Sequence, residues 1–395
     1  MYRLSALRAD PSARQRLGSL DDMEGGSRRR LPSSSMMRME QRRSEMKRRR
    51  FLTSAAAAAA FAVAAPYVRA QSKKFSGITL RVNGFGGVWD ETLSKRVVAP
   101  LEEKYGLKVQ FIAGTQAADL VKLIANKGNP PFDMFEADSA YMVELLKADV
   151  IEEIKVTDVP SIKRILPGFR EYGDYGVPFS VSTVVPVYNS KYIKQPLTSY
   201  SDLARPDLKG RGVILAPTLD TSSLYLLGMA EENGGSISDM EPAYKVLEAA
   251  KPNIVAIAQT TVAELQMFQA EEVYAGIFWD GRAHELRSRG VPIVTVVPPK
   301  GVYSIASYMN VVKGTKYPEA VYAFAEQLLS DQGMLGIPGA MRYGVTTDVK
   351  LPEEMHKDLL FNSPERNTLK KKVDWQKWMA ERGARIERVN KIMRS

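Results

Sequence analysis

The sequence predicts an α/β protein built as two lobes joined by two crossings. Three observations carry that expectation. From Gly77 onward, short β-branched runs alternate with longer amphipathic stretches, the pattern of layered helices and strands. Two β-rich, almost uncharged segments, at 177–189 and across 293–312, bracket a central α/β block. The chain has 395 residues, enough for two domains with real cores. A block inserted between two crossings assigns 71–180 and 304–395 to the first lobe and 181–303 to the second. A ligand would then lie between the lobes, at the carboxyl ends of the strands.

Taken in order, residues 78–82 form a strand and 88–105 a helix, closed by Gly106 in the left-handed position that ends helices without steric cost. A strand at 108–112 precedes a helix over 117–125. The Pro130–Pro131 pair introduces a strand at 133–136, and a helix follows over 140–148. The first crossing reads VPFSVSTVVPVYN. Beyond it come a strand at 213–216, helices over 222–232 and 241–250, and strands at 254–258 and 273–279. The second crossing covers 293–297 and 302–312. From Pro318 to the end the pattern is helical, with an interruption around 333–343.

Composition removes several kinds of chemistry. The chain has no cysteine, which excludes disulfides, thiolate metal sites, a cysteine nucleophile and a lipoprotein anchor. Two histidines, His284 and His356, argue against a histidine-ligated metal or a histidine-based triad. The net charge of +10 belongs to the N-terminal part: residues 1–70 hold 15 Lys/Arg against 6 Asp/Glu, and residues 71–395 hold 40 against 39. A nearly neutral body gives no reason to expect a nucleic-acid partner. No cofactor and no metal site are expected.

Residues 47–70 read KRRRFLTSAAAAAAFAVAAPYVRA. Basic residues precede a short Ala-rich apolar stretch, and Val68-Arg69-Ala70 suits cleavage before Gln71. The stretch is too weakly apolar for a permanent membrane anchor. Arg48-Arg49-Arg50-Phe51-Leu52 looks like a twin-arginine export signal; an ordinary secretory signal would lead to the same compartment. Residues 1–45 are basic and lack apolar periodicity, so they are expected to be disordered, or absent if translation starts at Met46. The working protein is thus expected in the periplasm as residues 71–395, a soluble monomer.

The segments YGVPFSVSTVVPVYNS at 175–190, AGIFWDGRA at 275–283 and the following VPIVTVVPPKGVYSIASYMNVV resemble the solute-binding proteins of ABC importers of the spermidine/putrescine type. The resemblance spans about 75–350 and rests on the order and spacing of these segments. It implies a type II periplasmic binding protein fold, a small charged organic solute as ligand, and membrane permease subunits as partners.

In that family a cationic amine is held by aromatic walls and carboxylates, through cation–π attraction and charge-assisted hydrogen bonds. Trp279 falls at a strand end where an aromatic wall is expected, with core packing as the alternative. Asp220 matches a carboxylate position and is equally a candidate helix cap. Asp138 follows the third strand and either faces the cleft or caps the following helix. Three residues past the strand-end Trp, putrescine-type members carry an aspartate; here the residue is Arg282. Ser223 and Ser307 stand near other expected acids. An arginine in the cleft suits a carboxylate or phosphonate, although Arg282 could instead pair with Glu285 at the i,i+3 spacing. Gly86-Gly87 and Thr221-Ser222-Ser223 add backbone and hydroxyl donors. With Asp220 or Asp280 and Arg282 all facing the cleft, the favoured ligand is zwitterionic, such as an ω-amino acid. Thr183, Ser180 and Tyr303 are polar candidates on the hinges. The alternatives are a ferric-ion or other anion receptor of the same fold, and a secreted hydrolase. A hydrolase would need a nucleophile–base pair or paired carboxylates; His284, close to Asp280 in sequence, is a candidate base, but no Gly-x-Ser-x-Gly, His-Glu-x-x-His or phosphate loop is present.

Overall fold

The computed structural model describes residues 73–361 and 364–394. The N-terminal extension, the twin-arginine signal and the cleavage point near Ala70 lie outside these residues.

Two mixed sheets organise the rest. The first has the order β2-β1-β3-β12-β4, with β5 also pairing along β12. Its parallel part is β1 (Thr79–Gly84), β2 (Lys108–Ala113) and β3 (Met134–Asp138); β4 is Ile151–Glu152, β5 is Val177–Ser182 and β12 is Ile305–Val312. The second sheet runs β10-β6-β9-β7-β8, built from β6 (Val184–Asn189), β7 (Gly212–Leu215), β8 (Ile254–Ala258), β9 (Ala275–Trp279) and β10 (Ile293–Thr295). The two sheets repeat one arrangement. In each, two parallel strands are followed by a third parallel strand and then an antiparallel one, as β2-β1-β3-β12 and as β8-β7-β9-β6. Asp138 and Trp279 are therefore counterparts, the last residues of equivalent strands.

The strands are apolar because they are covered on both faces. All of β3, β5, β6, β7, β9 and β12 is buried. The helices that cover them include α1 (Val88–Leu93), α2 (Ala99–Tyr105), α3 (Gln116–Ala125), α4 (Ser139–Ala148), α5 (Tyr225–Glu232), α6 (Glu241–Ala250), α7 (Thr261–Gln269), α8 (Asp280–Ser288), α9 (Pro318–Leu328) and α10 (Gly336–Met341). Thr115 caps α3 and Thr260 caps α7, each hydroxyl accepting from the backbone three residues on.

The chain passes from one sheet to the other twice. Thr183 is the one residue between β5 and β6. The return runs from β10 through the short strand β11 (Val302–Tyr303) into β12.

Several local expectations change. The helix expected over 88–105 contains one wide turn at Ser94–Val98 between α1 and α2, and Gly106 ends it at φ 73 with its N–H on the Glu102 carbonyl. The helix expected over 222–232 starts with a tight turn at Ser222–Leu224. Around 333–343, where a break was expected, the chain is helical through α10; Arg342 at φ 59 ends it, and loops follow.

The C-terminal segment is not one continuous helix. It contributes β13 (Lys370–Lys371) beside β11, then α11 (Trp375–Ala380) and α12 (Arg382–Arg394). α11 packs on α4 against the first sheet's side, and α12 packs on α6 at the second sheet's side. Helical periodicity shows none of this, because Trp375, Trp378 and Arg385 are all buried through contacts distant in sequence.

Candidate functional site

The equivalent ends of β3 and β9 open on one cavity of about 110 Å³. Its aromatic wall is Trp279, Phe85, Trp89, Tyr141 and Tyr343; its charged lining residues are Asp138 and Arg282; hydroxyls, an amide, Gly114 and the aliphatic Leu219 and Val262 complete it. The amino-terminal ends of α3 and α7 both reach it, through Thr115, Gln116, Thr260 and Thr261. Helix amino termini carry partial positive charge, which favours an anionic group nearby.

Asp138 makes no capping bond to α4. Its backbone N–H donates to Gln116 Oε1 at 2.8 Å, and its Oδ1 accepts from the Ser307 hydroxyl at 2.9 Å. Burial pushes its carboxyl up to about 6, with the Ser307, Gln116 and Thr221 side chains easing the ionised form. It is thus a carboxyl held in place without a cation of its own. Ser307, read from sequence as the loss of an acid, is the residue that fixes this one.

Arg282 also lines the cavity and is buried. Its Nη1 donates to Glu285 Oε2 at 2.9 Å, the i,i+3 pair the spacing allowed. Its Nη2 reaches the Gly86 carbonyl at 3.3 Å, joining α8 to the loop after β1. Two of the five guanidinium donors are engaged, so the remaining N–H groups can serve a ligand. Arg289 also pairs with Glu285. Trp279 presents its ring to the cavity while its Nε1 donates to Ser222 Oγ at 3.2 Å.

Behind this wall, Trp89 Nε1 donates to Glu136, a fully buried carboxyl that burial holds well above its ordinary value. Burial raises Asp90 as well, and the Arg282 charge counteracts the rise. A side chain at Gly281 would meet the Met341 carbonyl at 2.6 Å. Glycine there lets Tyr343 and α10 close onto the start of α8.

Of the residues singled out from sequence, Asp138, Trp279 and Arg282 come together around the cavity. Gly86 touches the site through its carbonyl. Gly87, at φ 59, would place a Cβ 3.6 Å from Arg282 Nη1. Thr221, Ser222 and Ser307 line it too, whereas Asp220, Ser223, Asp280, Thr183, Ser180 and Tyr303 do not. Asp220 is fully buried, and its carboxylate accepts from Arg382 Nε at 2.8 and 2.7 Å; it is neither a cap nor a cavity acid. Ser223 Oγ donates to the Asp220 carbonyl. Asp280 turns back to the crossing: its Oδ1 accepts from Thr183 N–H at 3.2 Å while its own N–H donates to the Thr183 carbonyl at 3.1 Å. Burial raises the Asp280 carboxyl to about 7. Thr183 serves through this backbone pair, its hydroxyl being buried without a partner. Tyr303 sits in β11 beside β13, with Lys371 over its ring.

Sequence reasoning missed Trp89, Phe85, Tyr141 and Tyr343. Phe85 lies between the strand expected at 78–82 and the helix expected over 88–105. Trp89 falls in that helix and Tyr141 in the one expected over 140–148, and none of these assignments fixes where a side chain points. Tyr343 lay in the stretch expected to be irregular. His284, the candidate hydrolytic base, is half-buried beside Arg342 and Arg287, and burial first, then those cations, lower it to about 4. Among the described residues no cluster of three or more His, Asp or Glu side chains converges as a metal site would require, and no helix is long and apolar enough to cross a membrane.

A family model described as bacterial extracellular solute-binding protein matches residues 96–362. The spermidine/putrescine-binding periplasmic protein of Escherichia coli strain K12 is 23% identical over 223 residues, 54% of this chain and 63% of that relative. The chain thus spans less than two-thirds of that relative's length. Among solved structures, a periplasmic binding protein from A. tumefaciens R10 in complex with agropinic acid superposes with a TM-score of 0.69 at 19% identity, covering 81% of this chain and 99% of the other. A spermidine/putrescine ABC transporter substrate-binding protein from Streptococcus pneumoniae gives 0.63 at 18%, covering 80% and 100%. At such identities the structural likeness establishes a shared two-lobed fold.

Proposed function

The chain belongs to the bacterial extracellular solute-binding proteins, and from that premise we propose that it captures a small amine-containing solute in the periplasm and delivers it to the membrane subunits of an ABC importer. It binds and releases; it transforms nothing. One observation carries the choice of solute: Asp138 and Arg282 face the same aromatic-walled cavity from the two lobes. An ammonium group at Asp138 gains a charge-assisted bond, an aliphatic or ring segment lies on Trp279, and a carboxylate meets Arg282 and the amino termini of α3 and α7. The agropinic acid complex of the A. tumefaciens neighbour supports a carboxylate-bearing ligand, and the polyamine-binding relative supports an amine. The twin-arginine signal read at 48–52 is in keeping with a periplasmic station.

Binding favours closure because the solute touches both lobes only when they are together; a ligand shifts the population by its differential affinity for the two states. The hinges are suited to this. Thr183 is a single-residue crossing fastened to Asp280, so rotation is confined to few torsions.

The test is a thermal-shift panel of diamines, ω-amino acids, dicarboxylates and phosphonates, followed by calorimetry on whatever stabilises. A solute that binds only the folded state raises the midpoint with the logarithm of its concentration over Kd. Arg282→Ala is expected to weaken carboxylate-bearing solutes by about 1.5 kcal/mol or more, roughly tenfold, the lower range for hydrogen bonds to charged groups. Arg289 still pairs with Glu285 in that variant, so no buried carboxylate is stranded. Diamines that bind tightly to both proteins alike would refute the carboxylate assignment.

A further inference from the structure

We infer that the protein carries a second ligand site, for a small oxyanion, in a cavity of about 160 Å³ on the reverse face of β5 and β12. It is separate from the solute cavity and does not depend on the solute reading above. Its placement follows from strand alternation, in which successive side chains point to opposite faces. Ser182 of β5 and Ser307 of β12 line the solute cavity, while their neighbours Val181 and Ala306 line this one. Val181 and Ala306 are partners in the β5–β12 ladder, so the two strands supply one wall. Much of the remaining lining comes from the C-terminal segment, through Lys370, Lys371, Lys372 and Trp375.

Charge comes first. The charged lining residues are the three lysines and Glu171. Lys371 is already answered, its Nζ donating to Glu231. Neither Lys370 nor Lys372 forms an ion pair among the described residues. Lys370 is half-buried, with its ammonium 4.6 Å from the centre of the Phe361 ring. Burial lowers its pKa, and the Asp280 charge counteracts that only in part. An ammonium drawn out of water with no carboxylate in contact carries a desolvation cost that a bound anion offsets. Lys372 acts on Glu171 at longer range, against the rise that burial gives that carboxyl. Two uncommitted cations against one acid leave the cavity positive, in a body of the chain whose charges otherwise balance.

A neutral donor comes second. Trp375 lines the cavity and is 7% exposed, and its indole N–H makes no hydrogen bond among the described residues. An indole nitrogen only donates, as an ammonium does. A buried donor left without an acceptor costs free energy. Lys370, Lys372 and Trp375 therefore present donors and no acceptor, which suits the oxygens of a phosphate or carboxylate. Lysine meets such groups as a point charge, and the resulting hydrogen bonds are charge-assisted. A cavity of this size takes a free ion or a small carboxylate rather than a polymer.

The experiment is calorimetry on the purified protein in a chloride buffer, with inorganic phosphate and citrate as probes. At least one of them is expected to bind saturably, with a Kd below about 1 mM. Lys370→Met and Lys372→Met keep the aliphatic stems and remove the charge. Each is expected to weaken that binding by about fivefold or more, and the double variant to bring it below detection. Folding is checked by the unliganded melting midpoint; Lys372 is exposed, so its variant remains informative if Lys370→Met melts early. Arg282→Ala alters the solute cavity alone and is expected to leave anion binding within about twofold. Absence of saturable binding by either probe overturns the inference, as does binding that survives both lysine changes. Binding lost in Arg282→Ala and kept in the lysine variants places the anion in the solute cavity, which also overturns it. The solute reading stands or falls separately, on the amine and carboxylate probes.

Discussion

Asp138→Asn is expected to lower the affinity for an amine-bearing solute about 100-fold while leaving the unliganded protein at least as stable at pH 7.5. A hundredfold loss corresponds to about 2.7 kcal/mol, within the range for a hydrogen bond to a charged group removed on one side. Asparagine keeps the shape and the Ser307 contact but offers no negative charge. Stability should not fall, because burial makes the carboxylate itself unfavourable: its folded pKa of about 6 lies above the ordinary carboxylate value. A carboxyl shifted upward binds an extra proton in the folded state at intermediate pH. Its contribution to stability is therefore lost as pH rises from about 4 through about 6. The unliganded wild-type midpoint should decline over that window, and the Asn variant should lack this decline. Affinity should run the other way. Below about 6 the solute must displace a proton from Asp138, so binding weakens by up to tenfold per pH unit; above it, affinity levels off. Calorimetry and melting from pH 4.5 to 8 measure both. A variant that melts early and binds poorly at every pH would mean that Asp138 is structural.

The fold was legible because its signals are local and repeated. Alternating β-branched and amphipathic runs, Gly106 at the left-handed cap, and two long uncharged crossings each follow from chain chemistry over a few residues. The end of β9 was placed at Trp279, whereas the third strand was expected to stop at 136 and runs on to Asp138, a residue singled out only as following it. What could not be read was the direction of each side chain once placed. Asp280 adjoins Trp279 in sequence, yet a helix starts between them and turns its carboxylate to Thr183. Arg282 was read both as a clamp and as a partner of Glu285; the structure makes the pair and leaves donors free. Asp220 was misread for a different reason. Its partner is 162 residues away in a segment with no distinctive local pattern, so neither spacing nor capping rules could connect them.

That distant pair is where the second large effect is expected. Arg382→Ala should destabilise the protein by about 2–3 kcal/mol at pH 8. Removing one partner of a buried ion pair typically costs about 3–5 kcal/mol because the other charge is stranded; the Arg382 side chain is 37% exposed, which lowers the figure. Asp220 is fully buried, with Arg385 Nη2 at 3.8 Å as its other cation. Burial already raises its carboxyl, and Arg382 counteracts the rise. Without Arg382 the folded pKa climbs further, so the deficit is complete above that raised value and shrinks as pH falls toward the wild-type folded pKa, itself above the ordinary carboxylate value, the titration of the unfolded chain being common to both proteins. Asp220→Asn in the Arg382→Ala background should recover most of the loss, and the double-mutant cycle isolates the pair from the packing of α12. The same contact reaches the cavity. Trp378 Nε1 donates to the Asp220 carbonyl at 3.0 Å, and the next two residues, Thr221 and Ser222, line the site. The C-terminal segment thereby fastens the loop that brings Thr221 and Ser222 to the cavity, while α11 rests on α4. Solute affinity should fall in Arg382→Ala even at temperatures well below its midpoint, and recover with stability in the double variant. Lost stability with unchanged affinity would confine Arg382 to docking the helix.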